Sequence, residues 1–168
     1  MDDAPVSARL GASLRDLAVI AGGLGALTAA GALARRRIAP PAPPLPAFDL
    51  LVFAMTVLPT GAYLATGEAG PHQAAWGKRR AGLRVVTAAG GHPGPGRVVL
   101  RTAVKLLPWQ LAHVAVVRLV RGVDAPVTIW TTDALSLLLA AASVTLALRD
   151  PQGRAVHDRV AGTRVVGR

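Results

Sequence analysis

The sequence predicts an all-α membrane protein with about four transmembrane helices and a small two-strand element on the cytoplasmic face. Three observations carry that expectation. First, the apolar residues, 52% of the chain, fall in long blocks, and the segments between them hold nearly all the charge. That is the layout of a chain whose solvent is a bilayer. Second, 19 Lys+Arg against 9 Asp+Glu give a net charge of +10, and the basic residues flank the apolar blocks. Third, AGLRVV at 81–86 and AGTRVV at 161–166 share five of six residues and read as two strands built for one job.

The first span is expected over 8–34. Leu17 to Ala34 carries no charge, and the helix starts early enough to include Arg9, Arg15 and Asp16. The N-terminus MDDAPVSARLG is acidic, so this block reads as a retained span and not as a signal peptide. Ala21, Gly25 and Ala29, with Gly22, Ala26 and Ala30 beside them, repeat at the spacing that lets helix backbones approach in lipid, although an Ala/Gly-rich chain produces such spacings by default. Arg35–Arg37 end the block. APPAPPLPA at 39–47 reads as a stiff extended connector. The second span is expected over 48–66, with Asp49 at its mouth and a kink at Pro59.

Residues 67–102 read as a polar cytoplasmic loop holding the strand LRVVT. Arg97, Arg101 and Lys105 are spaced by four and share a helix face, which reads as a basic interfacial stretch. The third span is expected over 103–121 and the fourth over 127–148, with Asp133 near the start of the fourth. DPQG at 150–153 has the residues of a type I turn, and 149–168 reads as a cytoplasmic tail. Charge decides whether 103–121 crosses. Four spans place fourteen basic residues inside and five outside; three spans give eleven and eight. Four spans also put both halves of the repeat on one side, where each strand supplies the backbone partners the other lacks. The expected location is the inner (plasma) membrane, multi-pass, with both termini cytoplasmic.

Composition excludes several functions. The basic connecting segments contain almost no aromatics to stack bases, so no nucleic acid is expected as a partner. The expected partner is instead a bilayer with anionic headgroups. The chain has no cysteine, which removes disulfides, thiolate metal sites and thiol nucleophiles. His72, His92 and His113 form no ligand spacing with His157, GGHPGPG lacks the Lys-Ser/Thr of a phosphate loop, and no Ser-His-Asp constellation is readable. No enzyme activity, metal or cofactor is therefore expected. The two lysines among nineteen basic residues, with abundant Ala, Gly and Pro, hint at a GC-rich bacterial genome.

Arg9 and Asp16 stand seven apart, on one face of the first helix. An ionisable residue at that depth is by default a pathway or pairing residue; if the span begins at Leu17, Asp16 instead lies in the headgroup zone. Together with the loop motif Gly77-Lys78…Gly82-Leu83-Arg84-Val85-Val86 and the tail motif His157-Asp158…Ala161-Gly162-Thr163, this pattern resembles the RDD family of bacterial membrane proteins, named for one Arg and two Asp. The resemblance covers almost the whole chain and singles out Arg9, Asp16 and Asp158. The Pro-rich connector and Arg15 depart from the family pattern. The resemblance implies a small multi-span protein without an enzyme mechanism, and it brings a suggestion of ligand transport or cation/proton exchange.

Two roles compete. In a transporter or exchanger component, Asp16, with Asp133, binds a cation or proton and Arg9 tunes it. Four spans are few for alternating access, so this role needs a homo-oligomer or a membrane-protein partner. In a structural or accessory component, Arg9 and Asp158 pair at the cytoplasmic surface and staple the first helix to the tail. The second role is favoured, because buried charge pairs are so often structural.

Overall fold

A computed structural model describes residues 2–38 and 41–167. Four helices are long and apolar enough to cross a membrane: Val6–Arg37, Leu45–Ala69, Pro95–Val120 and Pro126–Arg149. The helical elements are α1 (Val6–Ile38), α2 (Leu45–Val52), α3 (Leu58–Ala69), α4 (Trp76–Arg80), α5 (Pro95–Val120), α6 (Pro126–Arg149) and α7 (Val156–Ala161). The strands β1 (Leu83–Thr87) and β2 (Thr163–Gly167) form one two-stranded sheet.

The long helices exceed their expected bounds because their starts and stops are set by backbone chemistry as well as by polarity. Prolines fill the first turns of α2, α5 and α6, where a missing N–H costs nothing. The helix after the connector therefore begins at Leu45, inside the stretch expected to be extended; residues 39–40 of that stretch lie outside the described residues. Pro59 is accommodated by a π-helical segment, Phe53–Val57, joining α2 to α3. There the Leu58 N–H reaches back to the Phe53 carbonyl, which absorbs the hydrogen bond Pro59 cannot make. The stretch read as interfacial and the third span form one helix of 26 residues from Pro95 to Val120, with Pro108 inside it. The segment expected as loop over 67–102 thus contains the end of α3, all of α4, and the first two turns of α5.

The repeat is a structural repeat. In each copy a short helix, α4 or α7, ends at a glycine with left-handed backbone, Gly82 (φ 67°) or Gly162 (φ 61°), and a strand follows. The stops match: the Gly82 N–H donates to the Arg79 carbonyl at 3.1 Å, and the Gly162 N–H donates to the Arg159 carbonyl at 3.2 Å. Only glycine takes that conformation without strain. The two strands pair antiparallel with Val85 opposite Val165, Arg84 opposite Val166 and Val86 opposite Arg164. Pairing requires both strands at the same end of the bundle, so the chain between them crosses an even number of times. Residues 2–4 join the other edge of β2. Ala4 donates to the Val165 carbonyl at 3.1 Å, Gly167 donates to the Asp2 carbonyl at 3.1 Å, and Asp3 bridges Val166.

Ala4, Ala12, Leu83, Val85 and Val165 form a core between α1 and the sheet. Val57, Leu64, Ala75 and Leu106 form another between the second and third long helices. At the opposite end, the Arg118 guanidinium grips Asp49 with two bonds, at 2.6 and 2.8 Å, and Arg121 lies over the Phe48 ring. The small residues of α1 between Ala21 and Ala30 are exposed, and a Cβ at Gly22 or Gly25 would meet open space.

Candidate functional site

Between the sheet and the apolar bundle lies a layer of buried charge. Asp16, Glu68, Lys78, Arg101 and Asp158 are each between 1% and 5% exposed, and Arg9 is nearly as buried. They form an unbroken chain of ion pairs. Arg9 Nη2 is 3.0 Å from Asp158 Oδ2, and Arg101 Nη1 bonds Asp158 Oδ1. Arg101 Nε is 2.9 Å from Glu68 Oε2, Lys78 Nζ is 2.9 Å from Glu68 Oε1, and Lys78 Nζ is 3.8 Å from Asp16 Oδ2. Three anions and three cations alternate across α1, α3, α4, α5 and α7.

Each position has a local cause. Arg9 and Asp16 leave α1 on the same side, two turns apart. Arg9 also donates to the Gly153 carbonyl in the DPQG turn, which closes through the Gly153 N–H to the Asp150 carbonyl at 2.8 Å. Asp158 lies in the first turn of α7 and accepts the Ala155 N–H at 3.2 Å, so one carboxylate both caps that helix and pairs with two arginines. The Thr163 hydroxyl, at the start of β2, donates to Asp158 at 3.3 Å and accepts from Arg101 at 3.1 Å. Asp16 Oδ1 accepts the Tyr63 hydroxyl at 2.6 Å and the Gly77 N–H at 2.7 Å. Gly77 is there because nothing larger fits: a Cβ would stand 2.3 Å from the Ala12 carbonyl oxygen and 2.7 Å from the Asp16 nitrogen.

The chain matches the RDD family model over residues 4–162. It belongs to the RDD family. The family is one of membrane proteins, in keeping with the four apolar helices. No curated protein and no solved structure matches the chain at a significant level.

The structure brings the three residues matching the RDD name into one network. Arg9 pairs directly with Asp158, and Asp16 is joined to them through Lys78, Glu68 and Arg101. Asp16 is buried inside the protein, 2% exposed. It is sealed under α4 and Tyr63, while its neighbour Arg15 is exposed. Of the loop and tail residues, Gly77, Lys78, His157 and Thr163 touch the ion chain. Gly82 and Gly162 shape the two strand entries, and Arg84 lies on β1 outside the chain of charges. Asp133, half-buried on α6, is not part of it.

Sequence reasoning missed Glu68 as a site residue and placed Arg101 at an interface, although Arg101 is fully buried and bridges two carboxylates. A signal was present in rarity. Glu68 is the only glutamate in the chain, Tyr63 the only tyrosine, and Lys78 and Lys105 the only lysines. All four lie in or beside this layer.

Outside the spans, the titrating groups at the layer's edge are shifted. Burial, then the charge of Arg101, holds His157 down at about 3 from an ordinary 6.5, so the imidazole is neutral although its Nε2 lies 3.5 Å from Asp158. Burial opposes ionisation of Asp158, but the guanidinium groups of Arg101 and Arg9 outweigh it and keep that carboxyl below its ordinary range. Burial likewise opposes ionisation of Asp150, yet hydrogen bonds from Arg154 and Gln152 bring it down to about 2.

Two outcomes are expected. Gly77→Ala should fail to close α4 on α1 and lower membrane abundance severalfold, whereas Gly96→Ala, where a Cβ meets open space, should not; equal abundance of the two would contradict the close approach. Between pH 6.5 and about 3 the unfolded chain takes up a proton on His157 that the folded chain refuses, so stability falls as pH drops through that window. The carboxylates add a further loss below their ordinary range. The thermal midpoint of purified protein should therefore decline from about pH 6.5 downward, and His157→Gln should remove the upper part of the decline. An unchanged profile in that variant would show that His157 does not carry it.

Proposed function

We propose that the protein is a non-catalytic structural or accessory component of the plasma membrane, with both termini cytoplasmic, in which the residues matching the family motif act as an ion clamp. The observation that supports this is the unbroken alternation Arg9–Asp158–Arg101–Glu68–Lys78–Asp16. Each carboxylate in it already lies beside a cation, the loosest being Asp16, 3.8 Å from Lys78 with an Oδ2 that accepts no hydrogen bond, so an added cation would compete with a resident one. Two of the carboxylates also accept backbone N–H groups, which is what a fixed strut needs and an ion-releasing site does not. The clamp ties α1, the middle helices and the tail into one body while the apolar flanks stay free for lipid.

The sidedness rests on the positive-inside rule. In this cysteine-free chain, single Arg36→Cys, Arg80→Cys and Arg154→Cys variants should react with an impermeant thiol reagent outside intact cells at position 36 only. Reaction at 154 would reverse the orientation of the sheet.

The clamp is tested by abundance. Removing one partner of a buried pair costs about 3–5 kcal/mol. Asp158→Ala strips the partner from two arginines and should reduce folded protein in membranes more than Arg9→Ala, which leaves Asp158 its bond to Arg101. The double variant should be little worse than Asp158→Ala alone. Asp16→Asn keeps an acceptor for Tyr63 and Gly77 and should be the mildest. Normal abundance of both alanine variants, with loss of growth under sodium or alkaline stress in Asp16→Asn, would overturn the clamp in favour of ion exchange.

A further inference from the structure

The ion layer is not closed on every side. A cavity of about 260 Å³ opens beside it, lined by α1, α5, α6, α7 and the sheet. Its floor is charged: Arg9, Lys78, Arg101, Lys105 and Asp158 all reach it. Its walls are apolar, formed by Leu10 of α1 and by Val144, Ala147 and Leu148 of α6 among others. Leu10, Val144 and Leu148 are exposed. Although both helices line this space, α1 and α6 do not pack along one another, so a slot remains between them.

The charge of the floor does not balance. Arg9, Lys78 and Arg101 are matched by Asp16, Glu68 and Asp158 in the chain of pairs. Lys105, one turn beyond Arg101 on α5, lines the cavity and has no hydrogen bond and no ion pair among the described residues. His157, on the same wall, is neutral and adds no anion. Four basic side chains thus share three carboxylates, and the one without a partner, half-buried, faces a slot with greasy sides. A cation in such a place draws an anion, and a slot apolar along its length and cationic at its floor fits an amphiphile.

We propose that this slot binds one anionic phospholipid, with its phosphate on Lys105 and its acyl chain leaving past Val144 of α6 towards the bilayer centre. The site differs from general attraction to a charged surface in having one position, one unpaired lysine and two helix walls. It stands independently of the clamp role, because the lipid completes the charge of the layer whatever the layer is for. A long flexible lysine at this depth reaches headgroup level by extending along the helix.

The test uses the full chain purified in detergent and native mass spectrometry with phosphatidylglycerol or phosphatidylcholine of matched chains. The expected result is a single retained phosphatidylglycerol, held about tenfold more tightly than phosphatidylcholine, the worth of one charge-assisted contact. Lys105→Gln should abolish the preference and Lys105→Arg should keep it. Ser143→Trp, which fills the slot from α6 without touching any charge, should reduce retention of both lipids. Thermal midpoints of each variant without lipid show whether it is folded, and the comparison is made only among folded variants. Equal retention of the two lipids, or a preference that survives Lys105→Gln, overturns the site. Stabilisation by inorganic phosphate equal to that by phosphatidylglycerol overturns the lipid in favour of a free anion. A dimer that forms in place of the lipid adduct overturns it in favour of a second copy.

Discussion

The structure depends on Arg101. A guanidinium buried at the membrane end of a bundle is costly to desolvate, and that cost falls only when its planar donors meet carboxylates on more than one side. Glu68 and Asp158 supply those sides from different elements, one at the end of the second long helix and one in the tail. Fixing Arg101 therefore fixes where α3 ends and where α7 must dock. Lys78 then follows to Glu68, Asp16 to Lys78, and Arg9 to Asp158. An alternating chain of this kind adds little net stability, but it penalises wrong arrangements heavily, because any helix shifted by a turn strands a charge. In a bilayer, where helix packing is not driven by hydrophobic burial, that penalty is a strong means of specifying how the long helices sit.

The sheet serves this layer. Each half of the repeat brings a short helix and a strand together through a left-handed glycine, and each short helix delivers a charge to the same place: Lys78 from α4 and Asp158 from α7. Antiparallel pairing with Val85 opposite Val165 sets those helices at opposite ends of the strand pair, so their charges reach the layer from two sides. The buried valines between α1 and the sheet give the assembly its apolar backing.

The four spans and the strand pair were legible because they rest on rules that act over short windows: runs of apolar residues, flanking basic charge, and an almost identical hexapeptide. The Arg9–Asp158 pair was legible through the family pattern. Arg101 was not, because spacing alone places it on a helix face and cannot say whether that face meets water or Glu68. A basic residue on such a face argues for an interface only if its partner is solvent, and the partners of Arg101 are carboxylates 33 and 57 residues away. Glu68 could have been suspected, since a lone glutamate at the end of an apolar span has to be accounted for.

The pairing of residues 2–4 with β2 has a consequence for the order of events at the ribosome. The strand that receives residues 2–4 comprises residues 163–167, so that junction cannot form until all four long helices have been made. Until then Arg9 waits on α1 without Asp158, and Arg101 waits without its second carboxylate. Maturation of this fold is therefore a closing step that follows elongation past the fourth long helix, in which segments on either side of the four helices meet beside charges that neither could neutralise alone.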